Sequence, residues 1–308
     1  MSEPEASGGV ARQALLASVT SYLIWGFVPL LFQFLGHSGV GAWEIVAQRT
    51  VWGVPVALIL VLLANQWPQV RRVIADPKLM AWLALSSLLI AVNWITYILA
   101  VNSGQLIEGS LGYYINPLIN MAAGALIFRE RLDRLGLVAI GAATVGVGLQ
   151  AVALGHVPVI ALILGFSFAA YGVVRKQINA DAQTGLFIEF ALLSIPGVII
   201  SIWLQYRGVG HFFGNPLTTA LLMASGALTV APLVLFSWAA RRMPLSAMGF
   251  LQFIGPTIGL IIGLIEGEAF GWLRAVSFFF IWGGALIYAI GTWRAGRRLA
   301  AIKVAAAP

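Results

Sequence analysis

Residues 108–121 read EGSLGYYINPLINM. Long apolar runs flank it on both sides, yet its centre holds Tyr113, Tyr114, Asn116, Pro117 and Asn120. A buried helix of a soluble protein avoids that mixture, because each polar group needs a partner and proline removes a backbone donor. A helix in lipid that borders a polar interior has a use for it. Composition supports lipid as the solvent. The chain has 308 residues, of which 60% are hydrophobic and 9% charged, and its mean hydropathy is +0.93. A soluble domain carries about 25% charged residues. No aqueous globule of this size hides so much apolar surface.

Crossing about 30 Å of hydrocarbon takes about 20 residues of helix. Ten runs qualify: 14–35, 44–64, 79–101, 106–127, 134–154, 157–178, 184–204, 217–239, 245–265 and 271–293. The chain is therefore expected to be an all-α integral membrane protein with ten transmembrane helices. With ten spans, fifteen of the eighteen Lys and Arg fall in connections or tails on one side, two (Arg207 and Arg274) fall on the other, and Arg49 lies inside a span. Basic loops stay in the cytoplasm, so both termini are expected there. Residues 1–13 lack the features of a signal peptide and are expected to form a short disordered cytoplasmic tail. Residues 294–308 are expected to form a basic cytoplasmic tail. The net charge of +7 is explained by this orientation, with no nucleic-acid partner.

The absence of cysteine excludes disulfides and thiolate chemistry. His37, His156 and His211 lie far apart, without metal-ligand spacing, so neither a metal nor a cofactor is expected. Clustered His, Asp or Glu of the kind an intramembrane enzyme requires are also missing from the spans.

The chain echoes itself. SYLIWG (21–26) matches SFAAYG (167–172), and GYYINPLIN (112–120) matches LQFIGPTIG (251–259), which sets Pro117 opposite Pro256. YILA (97–100) faces FSWA (236–239), and Pro55 faces Pro196. The order is kept throughout. Two five-helix repeats, 14–154 and 155–293, fit this, and an odd number of helices makes the second repeat enter the membrane inverted. Inverted repeats commonly build secondary transporters, with the site near the midplane.

The same placement selects the site residues. Tyr113, Asn116 and Pro117 in the fourth span, with Gln252 and Pro256 in the ninth, put polar groups and helix breakers at similar depth. Two readings stand for the polar groups: a substrate pathway, or helix–helix glue. Asn93, Trp94 and Tyr97 in the third span join the cavity candidates, as do the echoed pairs Tyr22 with Trp25 and Phe168 with Tyr171. Trp67, Trp272 and Trp293 lie at span ends and read as interfacial anchors. Ionisable residues in hydrocarbon are functional suspects. Arg49 and Glu108 lie just inside the outer face, where they can pair. Glu189 lies just inside the inner face. These three are expected to act as gates or supports, whereas Arg175 and Lys176 are expected to snorkel to the headgroups.

Several segments together resemble a known family: YLIWG (22–26), EIVAQRTVW (44–52), NW (93–94), AVNSGQLIEGSLGYYINPLIN (100–120), ERLDRLGLVAI (130–140), GFSFAAYGVVRKQI (165–178), AQTGLFIE (182–189), LSAMGFLQFIGPT (245–257) and FIW (280–282). From about residue 13 to 294 the chain resembles the drug/metabolite transporter superfamily, and within it the RarD branch of the EamA group. The resemblance implies ten helices around a cavity open alternately to either side, and export of small metabolites, amino acids (aromatic ones included) prominent among them. The resulting expectation is a bacterial inner-membrane permease whose partners are a small-molecule substrate and the lipid bilayer, working as a monomer or weak homodimer. Efflux of drugs or quaternary cations and a non-transporting receptor or scaffold are the rival readings.

Overall fold

The computed structural model describes residues 3–102, 106–130, 133–154, 156–265 and 271–305, and among these all regular structure is helical. The helices are α1 (Glu3–His37), α2 (Ala42–Leu63), α3 (Trp67–Ile74), α4 (Pro77–Asn102), α5 (Leu106–Leu126), α6 (Arg134–Leu154), α7 (Val159–Gln177), α8 (Ala182–Tyr206), α9 (Pro216–Ala240), α10 (Leu245–Leu251), α11 (Ile254–Ile265) and α12 (Trp272–Ala305). Among the described residues, seven helices are long and apolar enough to cross a membrane, and shorter apolar helices accompany them. Each of the ten expected runs coincides with a helix, or with α10 and α11 together, to within a few residues, apart from the longer ends of α1 and α12.

Local chemistry sets the helix ends. The Asp76 carboxylate accepts from the Lys78 and Leu79 backbone amides at 2.9 and 3.1 Å and opens α4. Asp133 accepts from Gly136 N at 2.8 Å before α6, and Asn215 from Leu217 N at 2.8 Å before α9. Each satisfies a donor that the first helical turn leaves free. Two ends differ from expectation. α1 starts at Glu3, inside the expected tail, and α12 runs through the basic tail to Ala305. The C-terminal segment is rich in Ala and Arg, strong helix formers that lengthen a helix already anchored by packing, whereas the N-terminal one, with Pro4, Gly8 and Gly9, extends α1 against its local propensity. α3 was not anticipated at all. Its eight residues bury Val70 and Val73 while Arg71 and Arg72 stay exposed, a pattern too short to announce itself as a span.

Helix packing follows a regular scheme. α2 packs on α8, α5 on α10, and α6 on α12. α1 packs on α9 and α11, while α7 packs on α4 and α5. α2 also meets α9, and α4 meets α8. Replacing each of the first five long helices by the one five segments later turns this set of pairs into itself. Polar contacts between connections fall at two ends of the bundle. At one, Lys176 Nζ lies 2.9 Å from Glu130, which also accepts from Leu245 N at 2.7 Å. There too Arg241 lies 3.3 Å from Asp181, whose carboxylate accepts from Gln69 Nε2 at 3.1 Å. At the other end, the buried Glu44 carboxylate accepts from His211 N at 2.6 Å, Phe212 N at 2.9 Å and His211 Nδ1 at 3.1 Å. Glu44→Ala is expected to strand those two amides. It should raise amide hydrogen exchange across the loop between α8 and α9 by a local cost of about 1–3 kcal/mol, with little change elsewhere.

The ninth expected span is broken. α10 ends at Leu251 and α11 begins at Ile254. Pro256 has no amide hydrogen to give the Gln252 carbonyl, and the chain tightens to compensate. Phe253 N donates to Phe250 O at 3.3 Å and Gly255 N to Gln252 O at 3.3 Å. Its echo, Pro117, lies inside an uninterrupted α5. The difference tracks the preceding residue: Gly255 weakens the helix before Pro256, whereas Asn116 precedes Pro117.

Candidate functional site

Three groups of interior side chains hold most of the expected site residues. The first is aromatic. Phe236 of α9 sits among Trp25 and Tyr22 of α1 and Phe168 and Tyr171 of α7, at centroid separations of 5.7, 6.4, 5.3 and 6.3 Å. Trp25 also meets Phe168 edge-on at 5.4 Å. Tyr22 and Tyr171 are fully buried. These rings fill the place where α1, α7 and α9 converge. Phe236 was not singled out from the sequence, although its alignment with Tyr97 in the echo was a usable signal.

The second group is polar and follows one face of α5. Tyr113, Asn116 and Asn120 are spaced i, i+3, i+7, so they stack along one side. Asn120 Nδ2 donates to Gln252 Oε1, at the break before α11, at 2.8 Å. The side-chain oxygens of Asn116 and Asn120 are buried and have no partner among the described residues. Tyr114, on the neighbouring face, donates its hydroxyl to Pro256 O at 3.0 Å. The broken segment is thus tied to α5 at two points. A Cβ on Gly249 of α10 would come within 2.7 Å of Pro117 O, so α10 lies directly against the proline turn of α5. Asn120 is the functional candidate that sequence reasoning passed over. Its position one turn beyond Asn116 was the available signal.

The third group surrounds Arg49. Its guanidinium carbon lies 4.0 Å from the Trp94 ring centroid and 5.4 Å from that of Phe32. Tyr97 and Tyr113 meet edge-on at 5.4 Å, and among the described residues their phenols interact electrostatically with Arg49. Glu108 is in the first turn of α5, but its side chain lies outside the described residues, as does that of Trp293. Asn93 serves a different purpose. Its Nδ2 donates to Leu164 O at 2.9 Å and to Ser167 Oγ at 3.1 Å, which staples α4 to α7.

Glu189 belongs to a closed network. Its carboxylate accepts from Ser86 Oγ, from Tyr171 OH at 3.4 Å and from Arg175 Nη1 at 3.5 Å. Arg175 also donates to Ala182 O at 3.2 Å and Ser237 Oγ at 3.3 Å. Arg175 is 2% exposed, so it does not snorkel. Its carboxylate partner and carbonyl acceptor offer more than the headgroups, because they are fixed and within reach. Lys176, paired with Glu130 and lying 4.4 Å from the Phe128 ring centroid, is only half-buried. A hollow of about 310 Å³ lined by Phe34, Ser38, His211, Asn215 and Thr218 shares no residue with these groups and adjoins the Glu44 loop.

Comparison with known proteins now decides the family. Residues 12–151 match the EamA-like transporter family. An uncharacterized transporter of Vibrio cholerae is 38% identical over 288 residues, covering 93% of this chain and 95% of that protein. The protein RarD of Salmonella typhi is 39% identical, covering 90% and 94% of the two chains. RarD of Escherichia coli is 37% identical, covering 93% and 97%. The chain belongs to the EamA family of membrane transporters, among its RarD-like members. The RarD-like fold has a solved counterpart. A crystal structure sharing 18% of its residues superposes with a TM-score of 0.67, covering 89% of this chain and 96% of that one. As an EamA-family protein the chain is a multi-pass bacterial membrane permease. The polar face of α5 and the Arg49 cluster are interior features of that permease.

Proposed function

We propose that this protein is an inner-membrane secondary transporter that exports small metabolites, chiefly amino acids, by alternating access. Its working units are two inverted five-helix repeats, 14–154 and 155–293, with both termini in the cytoplasm. The packing pairs support the repeats, since exchanging the halves leaves those pairs unchanged. The two sets of polar connections at opposite ends of the bundle agree with the asymmetry of basic residues.

One observation carries the reading: the buried face of α5 presents amide oxygens at Asn116 and Asn120 that lack partners among the described residues, beside a helix broken at Gln252. An unsatisfied buried acceptor costs about 1–3 kcal/mol. A structural staple would have closed it. An acceptor left open inside an apolar bundle is suited to a donor that comes and goes, such as the ammonium of an amino acid. The break before α11 gives a segment able to shift without dragging a whole helix. The aromatic cluster of Phe236 provides broad apolar packing where the two halves meet.

The test is uptake into proteoliposomes. A panel of labelled amino acids and lipophilic cations is measured with and without an imposed pH gradient. Saturable uptake of amino acids supports the reading. Uptake confined to lipophilic cations favours drug efflux, and no uptake of any solute points to a receptor or scaffold.

A further inference from the structure

Arg49 is buried in α2, with 8% of its surface exposed. It makes no hydrogen bond or ion pair with any described residue, and its Nε is enclosed without a partner. The other buried arginine among the described residues, Arg175, is answered by Glu189 and two further acceptors. The contacts that Arg49 makes among the described residues are with rings. Trp94 lies 4.0 Å away and Phe32 5.4 Å away, and the phenols of Tyr97 and Tyr113 lie beyond. A ring face attracts a cation, but this returns less than the cost of taking the charge out of water. A planar fork of N–H donors held against an indole is, however, matched to a carboxylate. Two phenol hydroxyls are able to donate to the same anion.

We infer that Arg49, assisted by the hydroxyls of Tyr97 and Tyr113, is the site that binds the carboxylate of the transported solute. The inference rests on the transport reading above and narrows it: a carboxylate is obligatory and an ammonium is not. Asn116 follows Tyr113 by one turn of α5, about 4.5 Å along the axis. The amino end of an amino acid held at Arg49 therefore points toward the open Asn116 oxygen. Cations lacking a carboxylate meet a fixed positive charge and are rejected.

Four solutes of one shape test this: phenylalanine, 3-phenylpropionate, phenethylamine and phenylalaninamide. Their binding to the full-length protein in nanodiscs is read from tryptophan fluorescence, with Trp94→Phe as the control for signal origin. Sodium chloride forms a fifth arm. Wild type is expected to bind phenylalanine and 3-phenylpropionate and to ignore the other two. Arg49→Gln should weaken both carboxylates by about 30-fold or more. Arg49→Lys should retain part of the affinity, because it keeps charge but loses the fork. Tyr113→Phe, which removes only a hydroxyl, should weaken both carboxylates by a few-fold while leaving the melting temperature unchanged. Binding of phenethylamine as strong as that of phenylalanine, unchanged affinities in Arg49→Gln, a response to chloride alone, or no binding in any arm would overturn the site. So would Glu108→Gln matching Arg49→Gln for every solute, since Arg49 would then serve an internal pair. Carboxylate binding without uptake by proteoliposomes would keep the site and defeat the transport reading alone.

Discussion

Glu189→Ala is expected to cost the folded protein about 3–5 kcal/mol, enough to remove most of the correctly folded material from a membrane preparation. The carboxylate is 2% exposed and gathers Arg175, Ser86 and Tyr171 around it. Removing it leaves the Arg175 guanidinium buried with only the neutral acceptors Ala182 O and Ser237 Oγ. The penalty comes from that uncompensated charge more than from the lost attraction. Glu189→Gln keeps the shape and an acceptor oxygen, so it should fall between wild type and Glu189→Ala. The double change Glu189→Leu with Arg175→Met removes both charges and should recover much of the loss, because apolar replacements of a buried pair are often neutral. Thermal melting followed by size-exclusion of detergent-solubilised protein reads all three. Equal melting temperatures for wild type and Glu189→Ala would mean that the network carries no stability.

The second large effect is expected at the crossing of α2 and α9. A Cβ on Gly226 would come within 2.5 Å of the Trp52 carbonyl carbon and 2.7 Å of Gly53 N. The obstacles are backbone atoms, which cannot rotate away. On its other side Gly53 lies against the Phe190 ring of α8. α2 is therefore held between α8 and α9 with no slack, the close approach that small residues permit in membrane bundles. Gly226→Leu should cost about 3 kcal/mol or more, at or above the upper end of ordinary overpacking. Gly141 offers the contrast, since nothing lies within 4 Å of a Cβ there, and Gly141→Ala should be nearly silent in the same melting assay. Because Ala and Leu both favour a helix over Gly, an undiminished melting temperature in Gly226→Leu would show that the crossing is not tight.

Where sequence and structure agree, the physics is one-dimensional. A helix in lipid must be long and apolar, so hydropathy alone places α2, α4 and α5 to within a few residues. Proline alone is a poorer guide: Pro117 and Pro256 both read as breakers, yet α5 runs unbroken through Pro117 and the chain breaks only between α10 and α11. Residues whose roles depend on neighbours from other helices were not legible. Arg175 at the end of α7 looks like a headgroup ligand until α8 brings Glu189 beside it. Asn93 and Asn116 are the same residue type in similar helices, yet Asn93 donates across to α7 while the Asn116 side-chain oxygen has no partner among the described residues. Phe236 is anonymous in an apolar run and central in the bundle. The helix α3 was missed because eight amphipathic residues carry no membrane signal of their own.

On the proposed mechanism, the face of α5 bearing Asn116, opposite Gln252, borders a solute pathway that opens to each side in turn. The chain contains no cysteine, so Asn116→Cys and Gln252→Cys are single reporters without further engineering. Each is labelled in oriented membrane vesicles with an impermeant thiol reagent applied from one side and then from the other. Both positions should react from either side, slowly because both are buried at rest, and saturating substrate should protect them. Complete inertness from both sides, in protein that melts like wild type, would place these residues in permanently dry packing and contradict the account.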